Sequence, residues 1–410
     1  MDSLALPKTR LGRLHHALAA HVQSGDMPGL VALVNIRGET VVEAIGAQSF
    51  GGAPMKRDTI FRIASMTKPV VAVATLMLIE ECRLRLDDPV DELLPELANR
   101  RVLRSLESAV DDTVPANRPI SVRDLLTFTF GIGAVLVWPA KYPIQKAMEE
   151  TGLAPGPFPV GFSGDEFMKR LGTLPLIYQP GERYLYHTGS EVLGVLIERA
   201  SGQTLEAFLQ ARLFEPLGMR DTSFHVAPGK LERLASAYMM DAAKKELVCF
   251  DDAKNSRWSK PPPFASGGGG LVSTVDDFHA FYRMILNKGL PGGSQGGSRG
   301  RERLLSRPSI ELMTSDQLTP AQKVGAELFF GPSTNPAASW GMGGAVVTRR
   351  TNLFTTPGRY GWDGGYGTTA HLDPTEDVVG ILMTQRTMDS PVPPRVFRDF
   401  WTTAYQAIDD

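Results

Sequence analysis

The chain has 410 residues, 42% of them hydrophobic, with 43 Lys and Arg against 45 Asp and Glu. That length suits one large domain or two or three smaller ones, and nothing in the composition is disordered, collagenous or fibrous. A net charge of -2 leaves no basic footprint for nucleic acid. Two cysteines, Cys82 and Cys249, cannot build a disulfide framework or a four-thiolate metal site.

Near the N-terminus Leu11, Leu14, Leu18 and Val22 recur at helical spacing among Arg13, His15, His16 and His21. This predicts an amphipathic helix and not an apolar signal core. Residues 30–36 and 40–45 are β-rich runs joined by Arg37-Gly38, the pattern of a hairpin. Residues 69–86 read as a long, largely buried helix stopped by Asp87-Asp88-Pro89. From there to about residue 225 the pattern is helical and loop-rich, with Ser121 placed to cap 122–127 and the helix over 194–200 ending at Ser201-Gly202. A further helix starts near Thr274. Residues 289–300, half of them glycine, read as a mobile surface loop. Strand signals return at 345–348, 368–372 and 378–384, the last two separated by a turn sequence, Asp373-Pro374-Thr375-Glu376-Asp377. Val396, Phe397, Phe400, Trp401 and Ala404 form one helical face at the end.

Strands at both ends with helices between them predict an α+β fold: an antiparallel sheet built from both termini, flanked by N- and C-terminal helices. The expected division is an α/β domain of residues 1–95 and 226–410, with a mainly helical domain of 96–225 inserted. The longest apolar run, 70–79, is far below the roughly 18 residues needed to span a bilayer. No membrane span is expected, and a cytoplasmic location.

Several motifs lack the context their chemistry needs. Two G-x-S-x-G matches, at Ser294 and Ser298, have no apolar strand before them and no helix after, so neither forms a nucleophile elbow. His371, with Asp363 nearby, can be drawn into a Ser-Asp-His order only with those serines. Residues 267–270 are all glycine but lack the Gly-Lys-Ser/Thr of a phosphate loop, and are expected to let two backbones approach closely. No metal and no cofactor is expected.

Ser65-Met66-Thr67-Lys68 has the right context. A long apolar helix begins at once, so the Ser65 hydroxyl lies at a helix N-terminus, where N–H groups favour negative charge. Lys68 is about one turn on, and a desolvated lysine can act as a base toward a hydroxyl. The same four residues also fit a serine N-cap followed by an exposed lysine. Pro69 and the apolar run after it favour burial of Lys68.

Phe61-Arg62-Ile63-Ala64-Ser65-Met66-Thr67-Lys68, followed by Leu84-Arg85-Leu86-Asp87-Asp88-Pro89-Val90, resembles the serine β-lactamase/penicillin-binding-protein superfamily of the class C type. Ile120 to Thr127, Pro180-Gly181-Glu182-Arg183-Tyr184-Leu185-Tyr186, Glu215 to Met219 and Gly269 to Thr274 extend the likeness through most of the chain. The resemblance implies a β-lactamase/transpeptidase-like fold, with Ser65 as acylated nucleophile, Lys68 as its partner and Tyr186 as the second-motif proton shuttle. It implies a third motif, Trp362-Asp363-Gly364, on a strand beside the site, and an oxyanion hole from the N–H groups of Ser65 and Gly365.

The departures choose the branch. Lactam-opening relatives usually carry Lys or His where this chain has Trp362, and Asn where it has Thr188. A cation there seats a substrate carboxylate, whereas an indole offers an apolar wall. Strand alternation sets Trp362 and Gly364 on one face and Asp363 on the other, as a structural residue. Phe128, in Thr127-Phe128-Thr129-Phe130-Gly131, is expected to make the helical wall more apolar. S-x-x-K, Y-x-x and W-x-G together resemble the family VIII carboxylesterases. The implied activity is hydrolysis of small to medium uncharged esters through a Ser65 acyl-enzyme, with Trp362, Gly364, Thr188 and Phe128 binding a small-molecule ester. A β-lactamase or D-Ala-D-Ala carboxypeptidase, or an acyltransferase with the same machinery, is the alternative.

Overall fold

The computed structural model describes residues 8–156, 158, 160–292, 302–324 and 338–408. Ser294, Ser298 and most of the glycine-rich loop expected over 289–300 lie outside the described residues.

The central sheet has seven strands, all antiparallel, in the spatial order Glu39–Gly46, Gly29–Ile36, Val378–Thr384, Thr368–Asp373, Tyr360–Gly364, Ala345–Val347 and Ala338–Trp340. The two ends of the chain meet in its middle, where Leu33 pairs with Ile381. Gly29–Ile36 and Val378–Thr384 are buried along their whole length, which is why both read as nearly unbroken apolar runs. The N-terminal hairpin turns as expected at Arg37 and Gly38, both at positive φ. At the other hairpin the Asp373 carboxylate accepts the N–H groups of Thr375 and Glu376.

One face of the sheet is covered by the terminal helices, Lys8–Gln23 and Arg395–Tyr405, whose Leu14, Leu18, Phe397, Phe400 and Trp401 join the sheet's Leu30 and Leu382 in one cluster. The other face packs on helices Thr67–Glu80 and Val275–Leu286. Between residues 96 and 225 the helices are short, the longest being Thr188–Ser201. Ser121 caps Val122–Leu126 with a full capping box, and Gly202 ends Thr188–Ser201 in the left-handed conformation. Leu125, Phe130 and Leu196 from this stretch share one continuous apolar core with Val71 and Ile381.

The structure departs from expectation in two elements. The helix expected over 69–86 is Thr67–Glu80. It stops early because Cys82 takes φ 57 and folds the chain back, so that the Cys82 and Arg83 N–H groups satisfy the carbonyls of Ile79 and Leu78. A hairpin of Ala237–Asp241 and Glu246–Asp251 was not expected. Its strands are largely half-buried or exposed, and its turn, Ala242-Ala243-Lys244-Lys245, carries no glycine to mark it.

Candidate active site

The segment Phe61–Arg62 pairs antiparallel with Val272–Ser273 and delivers the chain to Ser65. It is pinned by the buried Arg62 guanidinium, which donates to Ala235 O at 2.5 Å, to Ser256 Oγ at 3.0 Å and to the Asp251 carboxylate. Ala64 then takes φ 45, and a single 3-10 turn, Ala64–Met66, precedes the helix Thr67–Glu80. Thr67 fastens the turn by donating from Oγ1 to Ala64 O at 2.7 Å and accepting the Leu271 N–H at 3.2 Å. Ser65 is half-buried and caps nothing: the helix N-cap is Met66.

Lys68 is 0% exposed. Its Nζ lies 2.8 Å from Ser65 Oγ, 2.6 Å from Gly268 O and 3.2 Å from His187 Nδ1. It also stands 4.7 Å above the Tyr186 ring centroid. Burial lowers its pKa to about 7, against a smaller opposing pull from Glu191. An amine of that acidity is substantially neutral near pH 7 and can take a proton from the hydroxyl beside it.

The Tyr186 hydroxyl completes a ring of polar atoms. It hydrogen-bonds Ser65 and receives the Trp362 indole N–H at 2.6 Å. Burial raises its pKa far above the phenol range, and these two hydrogen bonds pull it partly back. The indole therefore does more than form an apolar wall: it is a neutral donor aimed at the phenol oxygen. Beneath them lies an aromatic cluster in which Phe128 stacks on Trp340 at 4.9 Å and meets Tyr186 edge-on at 5.8 Å. Phe128 is 0% exposed, because φ 60 turns it inward, so it lies behind Tyr186 and off the wall where the sequence reading put it.

Trp362 and Gly364 lie on the strand Tyr360–Gly364. Gly364 does not border the cavity: a Cβ there would run into Ile63 O and Thr368 Oγ1. Its missing side chain is what lets the strand close onto the turn that carries Ser65. Thr368 Oγ1 donates across the same seam to Ile63 O at 3.2 Å. Gly365, one residue on, borders the cavity with Ser65. Asp363 bonds Thr369, whose hydroxyl also receives the Trp401 indole N–H from the C-terminal helix. Burial raises its carboxyl pKa to about 6. His371 packs edge-on against Trp401 at 5.2 Å.

Ser65, Tyr186, Thr188, Trp362 and Gly365 open onto a cavity of about 490 Å³. Leu136, Trp138, Leu153, Val160, Met239 and Met388 make its outer walls. Its described lining residues include no Lys or Arg; the acidic ones are Glu191 and Asp363. Among the described residues no group of three or more His, Cys, Asp or Glu is placed to hold a metal ion.

His187 and Glu191 escaped the sequence reading. His187 Nε2 is 3.3 Å from Glu191 Oε1, and the buried Glu191 also accepts from Ser266 Oγ at 2.7 Å. Burial, followed by Lys68, lowers the His187 pKa. For Glu191 burial pulls upward, but His187, Ser266 and Lys68 together hold its carboxyl below the ordinary value. The signal was present as a His and a Glu four residues apart at a helix start.

A hydroxyl on a buried lysine, with a phenol bonded to it and two backbones closing behind, is the layout of a serine hydrolase working by acyl transfer. Comparison with known proteins gives the family. The Beta-lactamase family profile matches residues 14–397, and the chain belongs to that family. An uncharacterised protein of Mycobacterium tuberculosis is 35% identical over 376 residues, covering 90% of this chain and 88% of that one. Esterase EstB of Burkholderia gladioli is 35% identical over 264 residues, 61% of this chain and 63% of its own. The solved structure of EstCE1, described as a hydrolase with promiscuous acyltransferase activity, matches with a TM-score of 0.76 at 23% identity, over 97% of this chain and 99% of that one. Within that family the chain is a serine hydrolase. Among the described residues no helix is long and apolar enough to cross a membrane.

Proposed function

We propose that the protein hydrolyses small to medium, uncharged carboxylic esters through an acyl-enzyme on Ser65. The observation that carries this reading is the 2.8 Å contact between Ser65 Oγ and a fully buried Lys68. Neutral Lys68 takes the Ser65 proton as Oγ attacks the ester carbonyl. The N–H groups of Ser65 and Gly365 hold the tetrahedral oxyanion. Tyr186 passes a proton to the departing alkoxide, and water then opens the acyl-enzyme by the reverse path.

Substrate class follows from the walls. Apolar side chains suit an acyl or alcohol group, and the described lining offers no cation to seat the carboxylate of a β-lactam or a D-Ala-D-Ala peptide. Transfer of the acyl group to an alcohol uses the same intermediate, and EstCE1 is described as having such a side activity.

Rates on p-nitrophenyl butyrate and a chromogenic cephalosporin, measured side by side, test the reading. Ester turnover should dominate; efficient lactam opening with negligible ester cleavage would overturn it. A fluorophosphonate adduct should map to Ser65, and one at Ser294 or Ser298 would remove Ser65 from the mechanism.

A further inference from the structure

We propose that His187, fixed by Glu191, is a positioning residue that aims the free electron pair of Lys68 at the Ser65 hydroxyl. This rests on Ser65 and Lys68 acting as just described.

A neutral amine has two N–H bonds and one electron pair, and Lys68 Nζ has three polar neighbours at hydrogen-bond distance: Gly268 O, His187 Nδ1 and Ser65 Oγ. A carbonyl oxygen only accepts, so Gly268 takes one N–H. The role of His187 depends on which ring nitrogen carries its hydrogen. Nε2 faces Glu191 Oε1 at 3.3 Å, and a carboxylate also only accepts, so the hydrogen sits on Nε2 and Nδ1 is bare. Bare Nδ1 takes the second N–H of Lys68. The electron pair is then left for the Ser65 O–H. On attack the proton moves from Ser65 to Lys68, and the ammonium's three N–H bonds face the same three neighbours. His187 keeps its own proton throughout.

The surroundings are built around this pair. His187 has φ 83 and ψ -64, a backbone conformation that side chains other than glycine rarely adopt. It is the centre of a γ-turn closed by the Thr188 N–H on Tyr186 O at 3.2 Å, and Tyr186 O is held from the other side by the Ala134 N–H at 2.9 Å. The turn sends Tyr186 to one side of Lys68 and His187 to another. Gly268 supplies the other acceptor and also the room: a Cβ there would come within 2.6 Å of Glu191 Oε1 and 3.1 Å of His187 Cε1. Ser266 Oγ donates to the same Glu191 oxygen, Oε1, that faces His187, and so fixes it in place. The titratable groups at this corner are Tyr186 and His187 from the turn, Glu191 from the helix behind it and Lys68 itself; the Asp363 carboxyl lies on the opposite face of its strand, against Thr369.

The test is the pH profile of kcat/KM on p-nitrophenyl butyrate for the full chain and three variants, each checked for folding by circular dichroism. His187→Ala should lower the plateau about tenfold or more with little change in KM. It should also move the acid limb to higher pH, because water admitted beside Lys68 restores its basicity. His187→Asn, whose side-chain oxygen can take the place of Nδ1 on a residue tolerant of positive φ, should recover much of the rate and the original limb. Glu191→Gln frees the imidazole to place its hydrogen on Nδ1. The acid limb should then fall to lower pH, since a negative charge near Lys68 is gone, yet the plateau should drop. An unmoved limb in His187→Ala, or an undiminished plateau in Glu191→Gln, would overturn the proposal. Fluorophosphonate labelling separates the two layers: normal labelling of Ser65 with either of those results sinks only the positioning role, whereas absent labelling in the parent protein sinks the acyl-enzyme reading beneath it.

Discussion

Replacing Trp362 with Phe would keep an aromatic ring in the cluster while removing the N–H that bonds the Tyr186 oxygen. The phenol then loses one of the two hydrogen bonds that counter its burial, and kcat should fall about tenfold with the fold intact. Unchanged kcat would reduce the indole to a wall. Lys68 carries a pH dependence with a definite sign. Activity should rise with pH through about 7, as the buried amine loses its proton. Stability is linked to the same group. Its folded pKa, about 7, lies below the ordinary 10.5, so between those values the unfolded chain binds more protons and stability climbs with pH. Lys68→Met should abolish activity and raise Tm most below about pH 7, with the gain shrinking toward 10.5. A uniform gain across that range would show that burial of the charge is not what costs stability.

Two elements meet at Ser65, and each is held by a feature outside it. The short strand before Ser65 depends on the buried ion pair of Arg62 with Asp251. Arg62→Ala leaves that carboxylate buried without its cation, at a cost of about 3–5 kcal/mol in a denaturant titration. Gly364 governs the other element. In Gly364→Ala the added methyl meets Ile63 O, so the strand must withdraw from the turn that carries Ser65. Loss of most esterase activity together with a lowered Tm is the expected outcome, the added methyl costing about 1–3 kcal/mol; full activity would mean the seam has slack. The motif resemblance marked both elements, and strand alternation separated Trp362 from Asp363. Phe128 and His187 were not legible in the same way, because each sits at positive φ, where the backbone turns against its local pattern.

At the scale of the whole molecule the N-terminal hairpin is stitched to the last strand, and the terminal helices close over it. The final helix is thus part of the core. Trp401 is 4% exposed and lies against Gly380, where any side chain would strike its ring. Truncation before residue 395 should expose the Leu30–Leu382 side of the sheet and give aggregated protein, while Trp401→Ala should cost about 3–5 kcal/mol and remain soluble. A soluble, active truncation product would show that the helix is dispensable. One apolar core running through both expected domains also leads to a single unfolding transition, which calorimetry checks by equality of the calorimetric and van't Hoff enthalpies.

Apolar periodicity in the amino-acid sequence was enough to place both terminal hairpins and the C-terminal helix, and to show that a buried helix follows Ser65 though not where it ends, because burial on one face or two writes a repeat that can be read locally. Ordered motifs were enough to nominate Ser65, Lys68, Tyr186 and the Trp362 strand. What the sequence could not supply was the set of atoms around Lys68. Gly268, His187 and Ser65 come from three separate parts of the chain, and each lies within 3.2 Å of Lys68 Nζ only once three backbones pack together. The acidity of a lysine and the tautomer of a histidine are set by such neighbours and by the exclusion of water, and only the tertiary structure decides either.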